Sequence, residues 1–235
     1  YSVRRMSEID SVRSFLKPLA LLFVISILIM GQPDLGSTAI VCLLVVGILF
    51  YAGISFSQLG LLILLIALLG YVAITDSEYR LARVLAFRDP FATEVVLNAG
   101  YQLSNSLISI GQGGWLGVGL GNSFQKSFFL PEAHTDFIFA ILVEELGIIG
   151  GLILILLFVV LFIGLISIMH ESFLKARFFQ GYVVFGIFML TAIQMLFNIA
   201  VNIGLLPTKG LTLPFISYGG TSIIIMLSLM GIVLR

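Results

Sequence analysis

From Phe137 to Met169 the chain carries Glu144 and Glu145 and no other ionised side chain, in a run of Leu, Ile, Val, Phe and Gly. About twenty apolar residues at 1.5 Å each cross a hydrocarbon core of roughly 30 Å, and this run exceeds that length. Further apolar runs occupy 18–30, 37–56, 58–75, 182–206 and about 215–234. A chain that is 60% hydrophobic and 10% charged has too little polar surface for a soluble domain of its length. In lipid every backbone group must find a partner within the protein. The expected fold class is therefore all-α, a polytopic transmembrane helix bundle of about six spans with one long extracytoplasmic loop. The first run is short and reaches spanning length by including Phe15 and Leu16, with Lys17 snorkelling to the interface.

The apolar runs divide the chain into a cytoplasmic segment (1–16), three transmembrane helices (17–75), a long extracytoplasmic loop (76–136) and three further helices (137–235) with an outer turn at 207–214. Lys and Arg in short loops favour the cytoplasm. With the N-terminus inside, the inner segments hold Arg4, Arg5, Arg13, Lys17, Lys175, Arg177 and Arg235, against Arg80, Arg83, Arg88, Lys126 and Lys209 outside. The opening residues lack the apolar core and cleavage site of a signal peptide. A membrane protein that begins at Tyr1 is expected to be a fragment.

Other function classes drop out. Twelve basic and twelve acidic residues give no net field to recruit nucleic acid, so none is expected as partner. The single cysteine, Cys42, lies inside an apolar run, which excludes internal disulfides and thiolate metal sites and reads as packing. Phosphate-loop, nucleophile-elbow and HExxH patterns are absent from the sequence. The glycine-rich GQGGWLGVGLG lacks the strand context of a dinucleotide fold.

The region 76–136 is more than a linker. Residues 101–110 fit a short interfacial or re-entrant helix, and the glycines of 111–121 favour irregular, closely packed backbone. Non-helical backbone at membrane depth survives only against protein or a wet cavity, so a cavity near this loop is expected.

Within LPEAHTD, Glu132, His134 and Asp136 precede the apolar helix expected from about Phe137. Thr135 and Asp136 suit helix capping, because the first turn presents unpaired N–H groups. A carboxylate held at a membrane–water boundary also suits a general base. Both readings stand on the residues alone. Glu144 and Glu145, about two turns deeper, need partners or water, as a structural network or as a proton or ion path. Arg80 and Arg83, three apart, share a helix face and with Arg88 suit either a lipid pyrophosphate or an interfacial anchor. PTKGLTLPFISYGG implies a bent backbone whose polar groups line something, with Lys209 available to an anion. Asn198 and Asn202, four apart, suit interhelical hydrogen bonds.

The segments QPDLGS, YRLARVLAFRDP, GYQLSNSL, GLGNSFQK, LPEAHTDFIFAILVEELG and PTKGLTLPFISYGG, in this order along nearly the whole chain, resemble the SEDS family (shape, elongation, division and sporulation). Lys209 and Thr212 favour its cell-division branch over its elongation branch. Members have about ten spans, so the resemblance implies a C-terminal portion carrying six. It implies a bacterial inner-membrane protein at the division septum, an inverting peptidoglycan glycosyltransferase that polymerises lipid II. Asp136 matches the aspartate treated as the catalytic base of the family, with Glu132 as a second catalytic candidate. Arg80, Arg83, Lys126, His134, Lys209 and Ser217 are the substrate-binding candidates. The expected partners are lipid II, a class B penicillin-binding transpeptidase, divisome regulatory proteins and membrane lipid. A divalent cation, Mg or Mn, is compatible with the pyrophosphate chemistry, although no carboxylate cluster specifies a metal site. The competing readings are a lipid II flippase with Glu144 or Glu145 as a proton-linked switch, and a non-catalytic divisome scaffold for the transpeptidase.

Overall fold

The computed structural model describes residues 12–32 and 34–235, so Arg4, Arg5 and most of the expected cytoplasmic segment lie outside the described residues, as does the Arg13 side chain. Among the described residues the secondary structure is entirely helical: α1 (Val12–Met30), α2 (Leu35–Tyr51), α3 (Phe56–Thr75), α4 (Glu78–Arg88), α5 (Tyr101–Gly113), α6 (Phe124–Phe128), α7 (Ile138–Leu174), α8 (Phe178–Asn202) and α9 (Gly220–Leu234). The fold is a polytopic membrane helix bundle. Helices α3, α7 and α8 are long and apolar enough to cross a bilayer, whereas residues Leu16–Met30 of α1, together with α2 and α9, form shorter apolar helices. The exposed Leu, Ile, Val and Phe side chains that cover them would be untenable in water and are what lipid requires.

The chain forms two compact units. The first comprises the helices up to Asp76 together with Gly164–Ile193. Asp34 starts α2 by accepting from the Ser37 N–H at 3.0 Å, and Ser55 starts α3 by accepting from the Gln58 N–H. Leu22, Cys42, Leu49, Ile54 and Leu62 pack as its core, which gives Cys42 the packing role its apolar surroundings suggest. Tyr51 stacks on Phe185 at 4.3 Å between ring centroids and meets Phe173 and Tyr182 edgewise or tilted.

The second unit comprises Ser77–Ile163 and Gln194–Arg235 and contains the candidate site. Its core joins Phe139, Val143, Leu154 and Phe158 of α7 to Met195 and Ile199 of α8 and to Leu213, while Leu130, Ala133, Phe137, Ala140 and Ile141 pack on Val201. Two features depart from the sequence expectation. The run from Phe137 is not one continuous helix, because Gly147 breaks α7 with φ 73° and ψ −179°. The last span begins at Gly220 rather than near Phe215, whose φ of 65° takes it out of the helical region.

Candidate functional site

The segment 130–137 enters α7 through a tight turn. Glu132 adopts φ 56°, and its carbonyl accepts the N–H groups of Thr135, Asp136 and Phe137 at 3.1–3.3 Å. Thr135 does not act as the N-cap: its hydroxyl donates to the Glu132 carboxylate at 2.8 Å and to the Glu132 carbonyl. The cap comes from another helix. Asn202 Oδ1 on α8 accepts the first-turn Ala140 N–H at 3.0 Å, which satisfies a donor that would otherwise be orphaned in a buried position.

The same amide fixes Asp136. Asn202 Nδ2 donates to the Asp136 carbonyl at 3.0 Å, and Asn198 Nδ2 donates to that carbonyl at 2.8 Å and to the Leu211 carbonyl at 2.6 Å. Both asparagines are fully buried; Asn202 makes an interhelical bond of the kind their spacing suggests, to Ala140 on α7, while the bonds to Asp136 and Leu211 reach non-helical backbone instead. Ser217 completes the attachment by donating to the Thr135 carbonyl and accepting from Leu213 N–H at 2.7 Å, while Tyr218 N–H donates to the His134 carbonyl at 2.9 Å. The 207–219 segment is thereby strapped across LPEAHTD.

The Asp136 carboxylate itself receives no hydrogen bond from the described residues, and Gly210 lies against it: a Cβ at that glycine would stand 2.9 Å from Asp136 Oδ2. Burial raises the Asp136 pKa from 3.8 to about 6; Glu132 adds a smaller upward push, and Arg83 pulls in the opposite direction. A carboxyl group poised there is half protonated near pH 6, is mostly ionised at neutral pH and can take a proton from a bound hydroxyl.

Arg83 reaches the strap from α4. Its Nη1 donates to the Thr208 carbonyl at 3.2 Å, its Nη2 donates to Gln102 Oε1 at 3.3 Å, and its guanidinium sits 4.6 Å from the centroid of the Tyr79 ring. Arg83, Tyr79, Asn98, Tyr101 and Gln102 line a cavity of about 340 Å³, the space expected near this loop. Arg80 stands one turn before Arg83 on α4, and Lys209 lies between Thr208, which Arg83 contacts, and Gly210, which abuts Asp136. Glu132 and Arg83 thus both act electrostatically on Asp136, with Lys209 on the adjoining segment.

Other candidates are engaged differently. Lys126 pairs with Glu145 at 2.7 Å instead of standing open. The Ser217 hydroxyl is spent on backbone and positions the loop. Glu144 is fully buried and accepts from Ser109 Oγ at 2.7 Å, Ser123 Oγ at 2.6 Å, Phe124 N–H at 3.0 Å and Gln125 N–H at 3.4 Å. It ties α5 and α6 to α7 as a structural network. Among the described residues, no group of three or more His, Cys, Asp or Glu side chains converges to hold a metal ion. Gln102, Thr208 and Gly210 were not legible as site residues; the buried Ser104, Asn105, Ser106 and Ser109 of α5 form a polar face that marks it as a helix packed against polar partners.

Comparison with known proteins gives a consistent set. The profile of the cell cycle protein family of FtsW, RodA and SpoVE matches residues 2–235. A protein of Legionella pneumophila named probable peptidoglycan glycosyltransferase FtsW is 44% identical across the whole chain and 59% of its own length. Its namesakes in Saccharophagus degradans and Pseudomonas fluorescens are 47% and 42% identical across the whole chain and 60% and 58% of their lengths. The chain thus spans about 60% of these curated relatives. A chain in a solved structure described as "Structural coordination of polymerization and crosslinking by a peptidoglycan synthase complex" superposes with a TM-score of 0.74 at 28% identity, over 96% of this chain and 62% of that one.

Proposed function

The chain belongs to the cell cycle protein family of FtsW, RodA and SpoVE, and from that premise we propose that it is part of a peptidoglycan glycosyltransferase that polymerises lipid II on the outer face of the inner membrane at the division septum. The observation that carries the reading is Asp136, a carboxyl group pushed up to a pKa of about 6 by burial, on a backbone held by two buried asparagines, with no donor among the described residues committed to its oxygens. In the proposed step the Asp136 carboxylate takes the proton of the acceptor sugar's 4-hydroxyl. That oxygen bonds to the anomeric carbon of the donor, the bond from that carbon to the phosphate oxygen breaks, and undecaprenyl pyrophosphate leaves with the electron pair. Attack opposite the leaving group inverts the anomeric centre.

Arg83, with Arg80 and Lys209 nearby, offsets the charge that develops on the pyrophosphate. A guanidinium fork suits that ligand better than an ammonium would. A divalent cation, if bound, would share the same charge. Burial raises the Asp136 pKa and Glu132 adds to that rise, while His134 orients the strap through its carbonyl. The transporter alternative draws on Glu144 or Glu145 as a proton-linked switch, and it is weakened because Glu144 is saturated by four donors and Glu145 is paired with Lys126. The resemblance to a chain of a synthase complex supports a crosslinking partner, which we assign as a class B penicillin-binding transpeptidase.

The test is lipid II polymerisation by the full-length protein with its transpeptidase, comparing wild type with Asp136→Ala and Asp136→Asn. Both variants should bind lipid II and form no glycan strands. Normal polymerisation by either would remove the base assignment and return attention to Glu132 or to transport.

A further inference from the structure

The break at Gly147 has a partner in the chain. A break strands backbone groups on both sides of it, and at a membrane boundary such groups need partners from protein. Residues 114–119 supply them: Val118 N–H donates to the Glu144 carbonyl at 2.9 Å, Gly119 N–H to the Glu145 carbonyl at 3.0 Å, and the Gly114 and Trp115 carbonyls accept from Ile148 and Ile149 N–H at 2.9 and 3.3 Å. The approach is so close that a Cβ on Gly113, Gly117 or Gly147 would stand 2.1–2.2 Å from a facing carbonyl oxygen. Backbone thus docks on backbone, and the side chains turn away. Trp115, Leu116 and Leu120 are 70%, 80% and 75% exposed.

The surface these side chains join is already a lipid face. Ile148 and Ile149 begin an exposed apolar row that continues through Leu152, Ile153, Leu156 and Leu157. Residues 148–174 give about 40 Å of helix, enough for the roughly 30 Å core, so the bilayer boundary on this side falls near the break. The Lys126–Glu145 ion pair lies just beyond it. A tryptophan at such a boundary has an apolar ring for the acyl region and an N–H for the headgroups.

We propose that residues 115–120 are a membrane-inserted anchor, an irregular segment that places Trp115, Leu116 and Leu120 in lipid while the broken α7 seals its backbone. The anchor does not depend on the glycosyltransferase reading. One consequence does: Asp136 stands at most about 16 Å of helical rise from Gly147, so the anchor sets the height of the base above the membrane that holds its substrate.

The test is tryptophan fluorescence of the full-length protein in nanodiscs of plain or acyl-brominated phosphatidylcholine, read as the difference between wild type and Trp115→Phe. The expected Trp115 signal is blue-shifted, loses more than half its intensity in brominated lipid, and is little affected by aqueous iodide. A signal quenched by iodide and spared by bromine would place the segment in water and overturn the proposal. A signal shielded from both would place it under protein and overturn it equally. Leu120→Trp in the Trp115→Phe background repeats the reading at a second position, and polymerase activity is not part of the readout.

Discussion

Replacing Asp136 by Asn is expected to stabilise the protein while abolishing its activity. In the folded chain the Asp136 carboxyl has a pKa of about 6 in place of 3.8, chiefly through burial. Each pKa unit corresponds to about 1.4 kcal/mol between protonation states, so a fully buried group with this shift would carry about 3 kcal/mol. Asp136 is only partly buried, and solvent screening reduces the penalty to on the order of 1 kcal/mol. The sign follows from linkage. A carboxyl whose folded pKa is raised favours folding while protonated, and that contribution is lost as pH rises from about 4 through about 6. At pH 7.5 the wild type bears the whole penalty and Asp136→Asn bears none. Thermal unfolding in nanodiscs should show the variant melting about 2–4 °C higher at pH 7.5, by the scaling for domains of this size, with the advantage gone at pH 4. Polymerisation by the wild type should rise with pH through about 6 and then level off. A variant less stable than wild type at pH 7.5, or an advantage independent of pH, would refute the claim that burial of the charge governs this group.

Arg83→Ala removes both the charge that lowers the Asp136 pKa and the bond to the Thr208 carbonyl, so the acid limb of the pH–rate profile should move above 6; Arg83→Lys should restore the limb but not the rate. Lys126→Ala and Glu145→Ala should each cost less in melting than an independent pair would, with a double-mutant coupling of about 0.5–1 kcal/mol and lipid II binding retained. Glu144→Ala leaves the Ser109 and Ser123 hydroxyls and the Phe124 N–H without their acceptor and should cost about 3–5 kcal/mol, read as lost thermal stability, whereas the same substitution at exposed Glu171 should be near neutral. Gly147→Ala must place a Cβ 2.2 Å from the Trp115 carbonyl at a φ of 73°, and folded yield should fall sharply; a well-folded Gly147→Ala protein would show that the 114–119 splint is dispensable.

How much of this the sequence revealed depended on the range of the interaction. The helical spans follow from apolar run length, which is local, and the glycine-rich stretch announces close backbone contact because few other reasons place so many glycines together. LPEAHTD draws attention because polar residues gather at the mouth of an apolar run, but the residues alone leave helix capping and a general base both open, and the resemblance chooses Asp136 as the candidate base. What completes the site lies far along the chain: Asn198, Asn202 and Ser217 meet the Thr135–Ala140 turn across 62 to 82 residues. Local capping rules therefore assigned the helix start to Thr135 when a distant amide performs it. The break in α7 was hidden for the same reason. Gly147 sits in a run whose composition reads as one helix, and only the neighbouring segment 114–119 makes leaving that helix affordable.

The short upper piece of α7, residues 138–146, is held at both ends by groups that act on backbone. Above, the two asparagine amides grip the Asp136 carbonyl and the Ala140 N–H. Below, segment 114–119 takes the Glu144 and Glu145 carbonyls. The neighbouring carboxylates are consumed in the process: Glu132 by Thr135, Glu144 by four donors, Glu145 by Lys126. Asp136 differs because its carbonyl accepts two hydrogen bonds and its carboxylate accepts none from the described residues. Three donors on that carboxylate would drive its pKa well below 4 and make it a poor base, whereas fixing it through the main chain gives a defined direction and leaves proton affinity to burial. In the proposed reaction a base at the membrane boundary needs both, and holding Asp136 by its backbone separates them.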